Sequence, residues 1–288
     1  MSPDSLCVAP FEELAPASFD IPANACDTHA HVISADTSRF PLSPIRSYTP
    51  VPATEDQYLA MLDAQGMTYG VLVQVSVYGT DNRYMLDVLG RHRDRLRGVA
   101  VIDPHVSDAE LDAMHAAGVR GVRVNVLYKG GVGLHEVNRI ADRIKELGWH
   151  MQFLVDARQL PELLPVMRRL PVAGVLDHMG HMPVSEGKTS PGYQAMLHLL
   201  TDYGWWVKLS GAYRISNESR GFDDTMGRAQ SLVEAAPSRC LWGSDWPHVA
   251  IPKMVDTGEL RNQLAQWIPD EATRHRILVH NPAALYGF

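Results

Sequence analysis

The stretch CDTHAHVI, residues 26–33, puts two histidines two positions apart inside a short apolar run near the start of the chain. In a strand, residues i and i+2 point to the same face, so His29 and His31 share one side. Seven further runs of this kind follow: residues 70–77 (GVLVQVSV), 96–103 (LRGVAVID), 120–126 (RGVRVNV), 150–156 (HMQFLVD), 173–180 (AGVLDHMG), 206–211 (WVKLSG) and 240–246 (CLWGSDW). Their apolarity is mostly continuous, the pattern of parallel strands covered by helices.

Helical patterns separate the strands. Residues 54–67 open with Thr54 as a predicted N-cap, and residues 107–119 pair Ser107 with Glu110 as a capping box and stop at Gly118. Residues 136–150, 160–171 and 193–206 repeat the amphipathic theme. Eight strands alternating with helices over roughly 250 residues predict an α/β fold of the closed (β/α)8 TIM-barrel type rather than an open doubly wound sheet. No glycine-rich phosphate fingerprint opens the first helix, which weakens the dinucleotide-binding alternative. Residues 1–24 read as an N-terminal arm and residues 25–288 as one barrel domain, with 33–53 a long proline-rich loop.

Composition narrows the function classes. The chain has 288 residues, 45% of them hydrophobic, enough for one large core. A formal charge of −7 and a pI near 6.0 argue against nucleic acid as a partner, which calls for a basic face. No apolar run approaches the ~20 residues of a membrane helix. The start, MSPDSLCVAPFEELAP, has no basic region before an apolar core, so no signal peptide is expected. Cys7, Cys26 and Cys240 are too few and too scattered for a disulfide framework, in keeping with a reducing cytoplasmic setting.

In such a barrel the chemistry sits at the C-terminal ends of the strands. Those ends carry His29 and His31, Ser76, Asp103, Arg123 and Asn125, Asp177 and His178, Ser210, and Asp245 with His248 just beyond. Burying each of these unpaired would cost roughly 1–3 kcal/mol, so they are expected to serve a site. Arg123, inside a buried strand, requires an anion: a neighbouring carboxylate or a carboxylate of the substrate. Met179 and Met182 read as core or pocket lining. A metal reading is open to the donors His29, His31, His178 and Asp245, which could just supply a catalytic zinc. Against it, Arg123 and Arg214 would oppose a divalent cation.

The DTHAH, DHMG and WGSDWPH motifs, together with QVSVYGTDN (74–82), RGVRVN (120–125) and the terminal NPAALYGF, resemble the amidohydrolase superfamily. The resemblance is to the amidohydrolase-2 branch that contains 2-pyrone-4,6-dicarboxylate lactonase, and it runs from about Cys26 to Phe288. It implies a metal-free hydrolase that opens a lactone or related carboxylic ester. Asp245 would take a proton from water as general base, and His29, His31 and His178 would polarise the carbonyl. Tyr48, Ser76, Arg123 and Arg214 would hold substrate carboxylates, with Asn125 and His248 added from the strand ends. The chain departs from the lactonase pattern at NVLYKGGVG, where Lys129 or nothing fills the role of a second arginine, and at FLVDA, which lacks an expected tyrosine. The alternatives are a zinc-dependent decarboxylase or deaminase on the same fold, or a non-catalytic carboxylate-binding barrel. Oligomeric state is not encoded in any motif here.

Overall fold

The apolar runs pair side by side in chain order. The strands are β1 (Cys26–Ala30), β2 (Tyr69–Val73), β3 (Leu96–Ala100), β4 (Val119–Asn125), β5 (His150–Leu154), β6 (Gly174–Leu176), β7 (Trp206–Leu209) and β8 (Cys240–Trp242). They form one eight-stranded parallel sheet in the order β1 to β8, and helices run between them. The chain is therefore a (β/α)8 TIM barrel, seen in a computed structural model that describes residues 6–125, 127 and 136–288. Lys129 lies outside the described residues. No helix among the described residues is long and apolar enough to cross a membrane.

The caps expected from sequence form. Thr54 and Gln57 make a reciprocal capping box on the helix Glu55–Gln65, and Ser107 with Glu110 does the same on Asp108–Ala117. Gly66 and Gly118 end these helices in the left-handed conformation. Several strands stop sooner than the apolar runs predict. The second run ends as a strand at Val73, and Ser76 falls in a following 3-10 turn, Ser76–Tyr78. The sixth run stops at Leu176, and His178 begins another such turn. The reason is common to both: the strand ends give up ladder pairing to turn polar side chains into the barrel mouth.

Alternation sorts the side chains. Met151 and Phe153 of β5, Val122 and Val124 of β4, and Val207 and Leu209 of β7 face the surrounding helices in the large outer core. A smaller interior core holds Cys26, Val71, Val73, Val99, Val175, Trp206, Leu241 and the C-terminal Tyr286. In β1 the register slips between Asp27 and Ala30, a bulge. It shifts the phase so that Cys26 belongs to the interior core while Ala30 packs outside, leaving His29 and His31 inward.

The closing seam, β1 against β8, is joined by other means than a strand ladder. Thr28 Oγ1 donates to Trp242 O (2.7 Å), Asp245 N to His29 O (2.7 Å) and His31 N to Trp246 O (2.8 Å). Asp27 accepts from both the backbone N–H (2.8 Å) and the hydroxyl (2.5 Å) of Ser244. The seam is thus where the paired histidines meet Asp245. The N-terminal segment lies against the barrel, with Ala15 N donating to Asp256 (3.0 Å) and Cys7 N to Thr49 O (2.9 Å).

Candidate active site

Two glycines make room for the histidines. A Cβ on Gly243 would stand 2.6 Å from His29 Cβ, and one on Gly211 would stand 2.8 Å from His178 Nδ1. Asp245 and His178 themselves sit at positive φ, 62° and 50°, the left-handed region that non-glycine residues adopt only when surrounding bonds over-determine it. For Asp245 those bonds include its N–H to His29 O (2.7 Å) and its carbonyl accepting from His248 N (2.8 Å).

Around Asp245 the imidazoles converge. His29 Nε2 and His31 Nε2 lie 3.8 and 3.7 Å from Oδ1, and His178 Nε2 lies 3.8 Å from Oδ2. Oδ2 is already engaged: Tyr213 OH and Arg214 Nε both donate to it at 2.6 Å. Oδ1 and His29 Nε2 are fully buried and lack a hydrogen-bond partner among the described residues. Such atoms carry a penalty unless something occupies the space between them.

The ionisation states follow from surroundings. Burial alone would raise the Asp245 pKa, but the Arg214 guanidinium above all holds it well below the usual carboxylate range. Asp177 is likewise held far down against its burial, by His29 and Arg123. Burial drives the histidines the other way: His29 and His248 fall to about 3, His31 falls, and His178 falls well below its ordinary value. All four rings are therefore neutral at neutral pH. His31 Nδ1 lies 2.7 Å from Val73 O, an atom that only accepts, so Nδ1 carries the proton and Nε2 presents a lone pair.

Beneath this cluster lies a buried polar layer. Arg123 pairs with Asp177 at 3.3 Å, Gln152 Nε2 donates to Asp177 Oδ2 at 3.1 Å, and Lys208 Nζ donates to Gln152 Oε1 at 2.8 Å. Burial lowers the Lys208 pKa to about 8. Of the two anions open to Arg123, a neighbouring carboxylate is present. The arginine also lines a narrow cleft together with His31, His178, Asp245, Tyr48 and Ser76. Tyr48 OH and Ser76 Oγ are 3.2 Å apart there.

Other expected residues fall elsewhere. Arg214 lines the cleft but spends its Nε on Asp245 and its Nη2 on Val249 O (3.1 Å). His248 stands behind the cleft, between Tyr213 OH (3.1 Å) and Thr257 Oγ1 (2.8 Å). Asn125 is buried, and its Oδ1 accepts from Leu127 N at 3.0 Å. Asp103 is exposed and accepts from His105 N (2.7 Å), away from the other strand ends. Leu154 occupies the position at the end of β5 and lines the cleft. Sequence reading passed over Tyr213, His181, Gln152 and Lys208. Lys208 was findable: like Arg123 it is a charged residue inside an apolar strand.

The cluster also contains metal-compatible sets. Donor atoms of His29, His31 and Asp245 lie within 4.8 Å of one another, as do those of His29, Asp177 and His178. A ligating histidine ordinarily donates its second ring N–H to an acceptor. His31 meets that condition through Val73. At His29 Nδ1 the Lys208 ammonium stands as close, 3.2 Å, as the acceptor Asp177 Oδ1.

Over residues 26–288 the sequence matches the profile of the amidohydrolase family. The chain belongs to that family. It is 38% identical to a 4-sulfomuconolactone hydrolase of Rhizobium radiobacter, over 98% of this chain and 96% of that one. It is 36% identical to a 2-pyrone-4,6-dicarboxylate hydrolase of Comamonas testosteroni, over 93% and 92%. Among solved structures, a probable 2-pyrone-4,6-dicarboxylic acid hydrolase of Acinetobacter baumannii with citric acid bound superimposes with a TM-score of 0.81 at 30% identity. That match covers 92% of this chain and 100% of the other.

Proposed function

We propose that this amidohydrolase opens a lactone ring in a small carboxylate-bearing substrate by adding water across the carboxylic ester. The reading rests on one observation: a buried, ionised carboxylate presents an unpaired oxygen to two imidazole nitrogens, in a cleft flanked by a guanidinium. The names of the relatives, hydrolases of a pyrone dicarboxylate and of a sulfomuconolactone, support lactones as the substrate class.

In this mechanism Asp245 Oδ1 and the lone pair of His31 Nε2 together accept hydrogen bonds from the attacking water, since neither is a donor. The water proton passes to Asp245 as the oxygen bonds the carbonyl carbon. Negative charge then grows on the carbonyl oxygen, where His29 and His178 act as fixed donors, each worth roughly 2.7–4 kcal/mol in the transition state. The ring C–O bond breaks, and Asp245 returns the proton to the leaving oxygen. Tyr213 and Arg214 hold the other carboxylate oxygen and so fix which lone pair faces the water. Arg123, Tyr48 and Ser76 orient the substrate's carboxylate.

The chemistry is proposed to run without a metal. Arg214 on Asp245, Arg123 on Asp177 and Lys208 beside His29 surround the donor atoms with cations, which oppose a divalent ion and suit an anionic substrate. The test is acid release in a pH-stat across lactones bearing one or two carboxylates, with and without a chelator. Chelator-insensitive release is expected. Loss of release on chelation, restored by zinc, would instead support the metal-dependent reading that the His29, His31 and Asp245 donor set allows. No release from any lactone would overturn the proposed activity.

A further inference from the structure

Lys208 reaches up inside the barrel from β7 and is completely buried. An ammonium carries three protons and no acceptor, and three acceptors surround this one. Thr28 O lies at 2.7 Å, Gln152 Oε1 at 2.8 Å and His29 Nδ1 at 3.2 Å. The orientation of Gln152 is fixed from its other end, where Nε2 donates to Asp177 Oδ2 at 3.1 Å. That leaves Oε1 for the lysine. With two protons spent on carbonyl oxygens, the third points at His29 Nδ1, which must then offer a lone pair.

We infer that Lys208 is a positioning residue that holds neutral His29 in the tautomer protonated on Nε2, so that this N–H points toward Asp245 and the cleft. The only competitor for Nδ1 among the described residues is Asp177 Oδ1. It lies 3.2 Å from Nδ1, as near as the ammonium, and 3.9 Å from Lys208 Nζ, without hydrogen-bond geometry to either. Were Nδ1 protonated instead, its proton would oppose the ammonium 3.2 Å away. The two histidines of the first strand therefore have opposite polarity. His31, held by Val73 O, accepts at Nε2, and His29, held by Lys208, donates there. A residue pair that reads identically in sequence is differentiated by its backing groups.

The inference rests on the hydrolytic reading only for its effect on rate. The tautomer itself can be read without turnover. Long-range 1H–15N correlation spectra of the full chain labelled at histidine, with His29 assigned by comparison with His29→Gln, should show Nε2 protonated and Nδ1 bare. A proton on His29 Nδ1 in the wild type would overturn the assignment whatever the enzyme hydrolyses. In Lys208→Met, His29 should switch to Nδ1–H facing Asp177. The kcat on a lactone that the wild type hydrolyses should drop about 10²-fold, the loss of one oxyanion donor, with KM within about threefold. A folded Lys208→Met protein with unchanged tautomer, or with kcat within about threefold of wild type, would also overturn it. If that variant does not fold, the wild-type spectrum decides alone.

Discussion

The two ends of the barrel interior are built on opposite principles. Toward the N-terminal ends of the strands, Val71, Val99, Val175, Trp206 and Leu241 close on Tyr286 in a mainly apolar plug. Toward the C-terminal ends the barrel carries His29, Arg123, Gln152, Asp177 and Lys208, all buried and joined in one network below Asp245. Strand β7 makes the change within two residues, from Trp206 in the plug to Lys208 in the network. The lower layer gains from removing apolar surface from water. The upper layer gains little, because ion pairs in low dielectric roughly break even against their desolvation. What it obtains is orientation: donors and lone pairs held where charge develops. Stability and chemistry are thus stacked along one axis.

That contrast can be broken from either end. The largest effect belongs to the upper layer: Asp245→Asn should cut kcat by about 10³-fold while substrate still binds and the thermal transition persists. Stopped-flow or pH-stat rates with parallel binding measurements would check it, and undiminished turnover would remove Asp245 as base. Arg123→Met should raise KM for anionic lactones by about 10–100-fold. It should also lower the melting temperature, because Asp177 loses a buried partner. An unchanged KM would leave Arg123 a purely structural partner of Asp177.

The pH dependence of stability joins both layers. His29 and His248 above, and His150 against Tyr286 below, all have pKa values lowered by burial to about 3. Below the ordinary histidine value of about 6.5 the unfolded chain takes up protons that these folded rings refuse, so stability falls as pH falls. Asp27, raised by burial to about 6, runs the other way: as pH drops toward the ordinary carboxylate range the folded state holds its proton more tightly. One carboxyl cannot offset several imidazoles. Melting temperatures measured from pH 8 down to pH 5 should therefore decline, and a flat or rising profile would show that the rings are not neutral. The smallest catalytic effect belongs to the plug. Leu241→Ala should cost about 2–5 kcal/mol in denaturant unfolding and leave kcat intact, and a large kcat loss would mean the two layers are coupled.

Much of this was visible in the residues. Continuous β-branched runs marked the parallel strands, and Thr54 and Ser107 marked helix starts because capping is local chemistry. Polar side chains at strand ends located His29, His31, His178, Arg123 and Asp245. The same rule also offered Asp103, which turned out to be exposed, while the substrate role that the family resemblance implied for Arg214 meets an Nε donated to Asp245. Tyr213 escaped because it lies in a short helix past the strand end, Ala212–Ile215. Lys208, a charge inside an apolar strand like Arg123, could have been singled out in sequence, but its partners Thr28, Gln152 and His29 are known only once the barrel is closed.

The sequence by itself determined the alternation of strands and helices, and the residue types that gather at the barrel mouth, because periodicity and capping act over a few residues. Only the tertiary structure decided the polarity of each histidine, the partners of Arg123 and Arg214, and the β1 bulge that turns His29 and His31 inward. Those depend on contacts between strands far apart in the chain, such as Lys208 with Thr28 and Ser244 with Asp27. Hydrogen bonds and charges reach only a few ångströms, so their meaning waits on the closing of the barrel.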